Sequence, residues 1–467
     1  MWQTFSKFWI NNVDFIGFSL LFLMLIGCFL VLKKLRKDDI FNFEQDYNMA
    51  KKNKMIVKEP VYEGERTFIG VSSNRKDVFI PNNAKHIFVC GTTGSGKTVA
   101  LSNFIKSAIE YDYPLLIIDG KGDTNEGSIL EVTRLIGQDR KLYIIDLNNP
   151  SKCHRYNPFK NTNPDIIKDM LINMTNWSEE HYKYNTERYI QKLCILLEKS
   201  EITISLDSLV KYLPIDKFMQ LSMTLSSQEK ISKYEHTENI ELAKISGKIA
   251  ESASARFATI KESMLGQIFH EDGIDIYTAL KENAIILFIL NPLSYPETSP
   301  LIGNLIIIDS KKAVSNFFSD RKERIFYILD EINAYASPSL LSLVNMSRTA
   351  NVTCILATQS LSDLDSVTEQ FKEQVIENCN NYIVLRQNSS VNAEHWAEII
   401  GTRETMQATY QVKGEKGITT PTQLGTLKKT REFLFHPDNI KQLRTGEAFF
   451  VSKDEMFNTK LKINKPF

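Results

Sequence analysis

Gly91-Thr92-Thr93-Gly94-Ser95-Gly96-Lys97-Thr98 lies between an apolar run, His86–Cys90, and a stretch whose Leu101, Phe104, Ile105 and Ala108 share one helical face. That octet fits G-x-x-x-x-G-K-[ST] in full, and its setting demands a strand, a tight loop and a helix in immediate succession. The glycines let backbone N–H groups turn inward around phosphates. Lys97 reaches the β/γ oxygens, Thr98 offers its hydroxyl to Mg²⁺, and the helix N-terminus adds a favourable dipole. ATP and Mg²⁺ are the expected ligands, with Gly91, Thr92, Thr93, Gly94, Ser95, Gly96, Lys97 and Thr98 as the cradle.

Around this loop, further short apolar runs alternate with helical patterns. They are Leu115–Ile118, Leu142–Ile145, Ala284–Leu290, Ile325–Leu329, Thr353–Ala357, Tyr382–Leu385 and Ala448–Val451. Runs without polar alternation suit parallel strands covered on both faces, so the core is α/β. Between Pro164 and about Tyr277 strand-like runs nearly vanish, and "TERYIQKLCILLEKS" and "ELAKISGKIAESASARFATIKESML" show helical spacing. The expected division is an α/β nucleotide-binding domain over 61–163 and 278–467, interrupted by an inserted all-α domain over 164–277. The segment after Lys453 gives no sign of a separate module.

Phe15 to Leu32 is an 18-residue uncharged stretch, followed at once by "KKLRK". Its length suits a bilayer core and no small-x-small cleavage site follows it, so it reads as an N-terminal transmembrane helix. The anchor is placed at 1–33 and a polar juxtamembrane linker at 34–60. Basic residues on the C-terminal side predict a single-pass membrane protein with its remaining domains in the cytoplasm. The 56 basic and 56 acidic residues cancel, which argues against a protein that coats DNA but leaves room for a local basic channel. Six scattered cysteines form neither a zinc pattern nor a disulfide framework.

Four acids ending apolar runs compete for the metal: Asp119, Asp146, Asp309 and Asp330. Only Asp330 is followed by a second acid. Asp330 can hold the metal through its water shell while Glu331 orients and deprotonates the attacking water. Asp146 and Asp309 read as cap or turn residues. Gln359, at the end of "VTCILATQS", either senses the γ-phosphate or positions water, or else caps the next helix. Arg348, between the acid-bearing and Gln-bearing strands, is either a surface residue or an arginine supplied in trans to a neighbour's γ-phosphate. Arg386, ending "NYIVLR", is its rival.

"HIFVCGTTGSGKTVALSNFI", "LLIIDGKGD", "YNPF", "IFYILDEINAYA", "SRTANVTCILATQS" and "NCNNYIVLRQ" occur in an order that resembles the type IV secretion coupling proteins (TraD/TraG-like). These are ATPases related to the FtsK and HerA motors. The likeness runs from about residue 60 to 452. It implies a RecA-like nucleotide-binding domain, an all-α domain, and a hexameric ring that passes DNA, a relaxase–DNA complex or protein to secretion-channel subunits at the inner membrane. Lys97, Thr98, Asp330, Glu331 and Gln359 match motif positions, and Arg348 falls where the family puts its trans-acting arginine. Lys121 and Asp123 match a segment after the second core strand. Family members commonly carry two membrane helices, and this chain shows one candidate span. A motor that energises protein export without touching DNA, and a scaffold gated by nucleotide, are the alternatives. Glu331 and Gln359 argue against the scaffold, which has no need of a water-activating acid.

Overall fold

The computed structural model describes residues 23–31 and 63–467, apart from 84, 138, 175–179, 321–323, 366, 369 and 416–417. Its strands are β1 (Arg66–Ser72), β2 (Asp77–Pro81), β3 (His86–Cys90), β4 (Leu115–Asp119), β5 (Leu142–Asp146), β6 (Ile285–Ile289), β7 (Ile325–Asp330), β8 (Val352–Thr358), β9 (Cys379–Val384), β10 (Thr402–Glu415), β11 (Ile418–Phe433), β12 (Glu447–Ser452) and β13 (Phe457–Ile463). The first helix, α1, covers residues 23–31. It is followed by α2 (Lys97–Glu110), α3 (Ile129–Ile136), α4 (Pro164–Asn173), α5 (Glu180–Lys199), α6 (Leu206–Tyr212), α7 (Ile215–Ser227) and α8 (Lys233–Glu262). The remaining helices are α9 (Ile276–Lys281), α10 (Thr298–Asp320), α11 (Pro338–Ser347), α12 (Phe371–Asn378), α13 (Ser390–Ile400) and α14 (Pro437–Lys441).

Eleven strands make one sheet in the order β2-β1-β13-β12-β9-β3-β8-β7-β4-β6-β5. From β9 to β5 all neighbours are parallel. The strands β3, β4, β6, β7 and β8 are buried at every residue, as expected of a parallel sheet covered on both faces. The run Ala448–Val451 is a strand, but β12 joins β9 and β13 antiparallel. The C-terminal stretch after Lys453, which gave no sign of a separate module, supplies β13, which links β12 to β1. The β10–β11 pair forms a separate antiparallel ribbon, Thr402↔Phe433 through Glu415↔Ile418. Along β10, Met406, Ala408, Tyr410 and Val412 alternate with polar residues, a period-two strand signal that a search for unbroken apolar runs passes over.

The run ending at Asp309 is not a strand. It lies within α10, because a short apolar run cannot by itself separate a buried strand from a buried helix. Asp309 is buried there against Tyr156, whose hydroxyl donates to it at 2.8 Å, and Lys312 Nζ, at 2.7 Å. Burial raises the Asp309 carboxyl pKa, while Lys312 and the Tyr156 hydroxyl oppose the rise.

The single-pass inner-membrane location expected from Phe15–Leu32 is not upheld. Among the described residues no helix is long and apolar enough to cross a membrane. Of that stretch only residues 23–31 are described. Residues 15–22 and 32, and the 34–60 linker, lie outside the described residues.

Helices α4 to α9 fill the interval between β5 and β6. The segment Tyr156–Phe159 closes the neck of this helical stretch. Tyr156 N donates to Ile268 O and Asn157 N to Ile274 O, both at 2.8 Å. Asn157 Nδ2 reaches Ile204 O at 3.0 Å, and the Tyr156 ring packs edge-on against Phe288 of β6. The chain entering the helices is thus bonded to the chain leaving them.

At the N-terminal end of β3, His86 is 2% exposed. Its Nδ1 accepts the Cys354 N–H at 3.0 Å, so the proton sits on Nε2 and is donated to Val344 O at 2.8 Å. Burial, outweighing the Val344 bond and joined by the Arg348 charge, lowers its pKa from 6.5 to about 4. The folded chain therefore keeps His86 neutral at pH values where the unfolded chain protonates it, and stability falls as pH drops from 6.5 to about 4. Against a His86→Gln variant, which does not titrate there, the wild-type chain should lose about 3 kcal/mol across that window. Denaturant midpoints of the two chains measured from pH 7 to pH 4 check this, and a constant difference refutes it.

Candidate nucleotide site

Three adjacent strands of the sheet, β3, β8 and β7, end side by side and deliver the loop 91–96, Gln359 and Asp330–Glu331 to one rim. Carboxyl ends of parallel strands are where doubly wound sheets bind ligands.

The loop owes its shape to glycine. Gly94 (φ 73) and Gly96 (φ 106) are left-handed. Around Gly94 a Cβ would meet nothing within 4 Å, so the loop opens onto free space there. Gly96 caps α2 without a side-chain hydrogen bond, which leaves the first N–H groups of that helix with no intrahelical partner. Ser95 Oγ is buried with no partner among the described residues. An uncapped helix start beside an open glycine turn is a fit for an anionic phosphate chain.

The loop is held from two sides that its own sequence does not announce. Thr92 donates to Arg386 O from both its N–H (3.1 Å) and its hydroxyl (3.2 Å). From the other side, Gly446 N donates to Ser95 O at 2.9 Å and Thr445 Oγ1 to Gly94 O at 3.1 Å. No local pattern marks Thr445, Gly446 or the Arg386 carbonyl. Only the sheet order, which sets β9 against β3 and threads β12 next to it, brings them to the loop.

Lys97 Nζ lies 2.8 Å from Glu331 Oε2 and 3.6 Å from Asp330 Oδ1, with all three side chains largely buried. Burial alone would pull the ammonium pKa down, but Asp330 and Glu331 outweigh it and the net shift is upward. Gln359 Nε2 donates to the same Glu331 oxygen at 3.2 Å, and Thr93 Oγ1 donates to Gln359 Oε1 at 3.1 Å. One polar chain therefore runs Thr93–Gln359–Glu331–Lys97. Glu331 occupies the left-handed region (φ 51, ψ 52), which costs a non-glycine residue on the order of 1 kcal/mol or more. Its N–H donates to Asp330 Oδ1 at 2.9 Å, and Tyr335 OH donates to Asp330 O at 3.1 Å.

Burial raises the Asp330 carboxyl pKa, Lys97 opposes the rise, and Glu331 adds to it. Asp119 aligns with Asp330 across β4 and β7, and burial together with the Asp330 charge pushes its carboxyl up to about 7. The Asp119 side chain is spent on its own turn, accepting from Lys121 N (2.9 Å) and Gly122 N (3.3 Å). Lys121 pairs with Asp123 at 3.5 Å. Asp146 likewise turns its own loop, accepting from Asn148 N at 2.8 Å.

Thr98 follows Lys97 in the first turn of α2 and is half-buried. Arg348 is not part of this cluster. It is exposed and precedes β8, whereas Gln359 follows it, and a seven-residue strand spans about 23 Å. Arg386 sits beside the loop of its own chain, and its Nε is buried without a partner among the described residues.

A family model for the type IV secretion-system coupling protein DNA-binding domain matches residues 235–464, and an FtsK/SpoIIIE family model matches residues 47–132. The fold is similar to that of a bacterial conjugative coupling protein, TrwBdeltaN70 in an unbound form (TM-score 0.61, 16% identity), across 89% of this chain and 92% of that one. It is also similar to VirB4 of Thermoanaerobacter pseudethanolicus (TM-score 0.54, 13% identity), across 86% of this chain and 97% of that one. An uncharacterized protein of Mycoplasma pneumoniae is 46% identical over 39 residues, 8% of this chain and 32% of the relative. A second from that organism is 27% identical over 101 residues, 21% of this chain and 67% of the relative. The likeness to the type IV secretion coupling proteins, read from motif order, therefore holds, and the architecture is that of a P-loop ATPase fold.

Removing Lys97 leaves two buried carboxylates without a cation. Lys97→Met should cost about 3 kcal/mol in the absence of nucleotide, and Lys97→Met/Glu331→Gln should recover most of it. Urea unfolding of the three chains measures this. Equal stability of wild type and Lys97→Met would show that the pair is not held as described.

Proposed function

We propose that this chain is a secretion ATPase that uses ATP hydrolysis to drive DNA, or a relaxase–DNA complex, into a type IV secretion channel, working as a ring, with six copies as the expected number. The observation that carries the hydrolytic part is the convergence of Lys97, Glu331 and Gln359 from three adjacent strand ends. The DNA part rests on the family-model match over 235–464. Residues 164–277 are assigned as the helical domain that meets cargo.

In this reading the triphosphate lies along the 91–98 loop, its charge facing the free N–H groups at the start of α2. Lys97 exchanges Glu331 for phosphate oxygens. That exchange releases the Glu331 carboxylate to accept a proton from the attacking water, while Gln359 holds the carboxylate in place. Thr98 and Asp330 are the residues suited to Mg²⁺, which when bound neutralises charge on the phosphate oxygens. The cluster lacks a cationic group from outside its own rim. Arg348, exposed at the opposite end of β8, is assigned that role toward a neighbouring copy. Arg386 stands beside its own chain's loop, where its backbone carbonyl accepts from Thr92.

Glu331→Gln should still bind nucleotide and hydrolyse it at least about 100-fold more slowly, the usual contribution of a positioned base. Equilibrium binding and steady-state phosphate release on the same preparation test it, and normal turnover overturns the assignment. Arg348→Ala should lose hydrolysis yet regain part of it when mixed with Glu331→Gln chains, since each supplies what the other lacks. Hydrolysis by the full chain should rise with single- or double-stranded DNA, and the rise should fade with salt. Robust hydrolysis indifferent to DNA would instead favour a motor for protein export or assembly.

A further inference from the structure

We infer that His86 is a positioning residue that holds the Arg348 turn in the form a neighbouring copy uses; this rests on the reading of Arg348 as the arginine given in trans. Arg348 opens the connection between α11 and β8, directly after Ser347. The imidazole grips both limbs of that connection, Val344 O in the last turn of α11 at 2.8 Å and Cys354 N in β8 at 3.0 Å. Between those points the chain closes on itself. Asn351 N donates to Arg348 O at 3.1 Å with Asn351 left-handed (φ 60), and Ile325 N donates to Asn351 O at 3.2 Å. Ser347 Oγ donates to Val344 O at 3.3 Å.

The backbone on either side of Arg348 is thereby fixed while the residue itself is exposed. A side chain presented on a pre-formed turn loses less freedom on docking than one on a loose loop. The same His86 begins the strand whose other end is the phosphate loop. Five residues of fully buried β3 thus join the clamp on the donated arginine to the chain's own nucleotide site. A core histidine that only fills space would be replaceable by leucine, whereas a clamp needs one donor and one acceptor in fixed relation. Glutamine retains both and leucine neither.

The test uses the full chain in its assembled form. His86→Leu should bind a fluorescent ATP analogue as the wild type does, within about twofold, and lose about 10- to 100-fold in steady-state hydrolysis, as misplaced catalytic groups do. His86→Gln should retain most activity. Mixing His86→Leu with Glu331→Gln chains should restore turnover, because the first keeps a sound active site and the second a sound arginine. Mixing it with Arg348→Ala chains should not. Wild-type turnover in His86→Leu overturns the inference, as does a His86→Gln chain no better than His86→Leu. It also falls if Glu331→Gln chains restore Arg348→Ala but not His86→Leu, and in that case the reading of Arg348 stands. If Arg348→Ala itself is not restored, that reading falls and the inference with it. Should His86→Leu not accumulate folded, His86→Asn, which keeps an acceptor for Cys354 N–H but is too short for Val344, is read in the same way.

Discussion

A buried cation shared between two buried carboxylates governs the centre of this molecule. Lys97, Asp330 and Glu331 would each be costly inside the protein alone, and together they neutralise one another only if geometry keeps them within reach. That requirement fixes more than a contact. It demands that the loop after β3 and the tip of β7 sit on the same rim although 233 residues separate Lys97 from Asp330, and the sheet answers by placing only β8 between those strands. The left-handed backbone of Glu331 reads the same way: the chain accepts local strain so that the carboxylate turns toward the lysine rather than along the strand.

The sheet also separates two functions along its strands. One end of β3 and β8 carries the phosphate loop and Gln359, and the other carries His86 and the turn with Arg348. A single copy cannot bring Arg348 to its own cluster, because the rigid length of β8 stands between them. In the proposed ring each copy would complete its neighbour's site, and β3 and β8 run from one end to the other.

Much of the architecture was legible because parallel strands buried on both faces leave unbroken apolar runs. Each of the runs from His86–Cys90 to Ala448–Val451 marks a strand of the sheet. The same property misled at Asp309, where an apolar run belongs to a buried helix and its acid serves Tyr156 and Lys312. Direction was not legible either, since β12 has the composition of its parallel neighbours and runs against them. The β10–β11 ribbon escaped because its signal is alternation, Met406, Ala408, Tyr410 and Val412 in β10, and not an unbroken apolar run. At the site, the lysine and acids announced themselves through motif spacing. Thr445, Gly446 and the Arg386 carbonyl act through backbone and a hydroxyl, which any sequence supplies, so only topology could reveal them. The apolar stretch Phe15–Leu32 met the length criterion for a span, yet among the described residues no helix is long and apolar enough to cross a membrane.

The grip of Thr445 and Gly446 on the phosphate loop has a consequence in time. The bond from Thr445 to Gly94 closes a separation of 351 residues. At roughly 5 to 20 residues per second, a ribosome would need about 20 to 70 s to travel from one to the other. Throughout that interval the emerging chain has its glycine loop but not the turn that braces it. A chain truncated before residue 445 would carry the full motif without its brace.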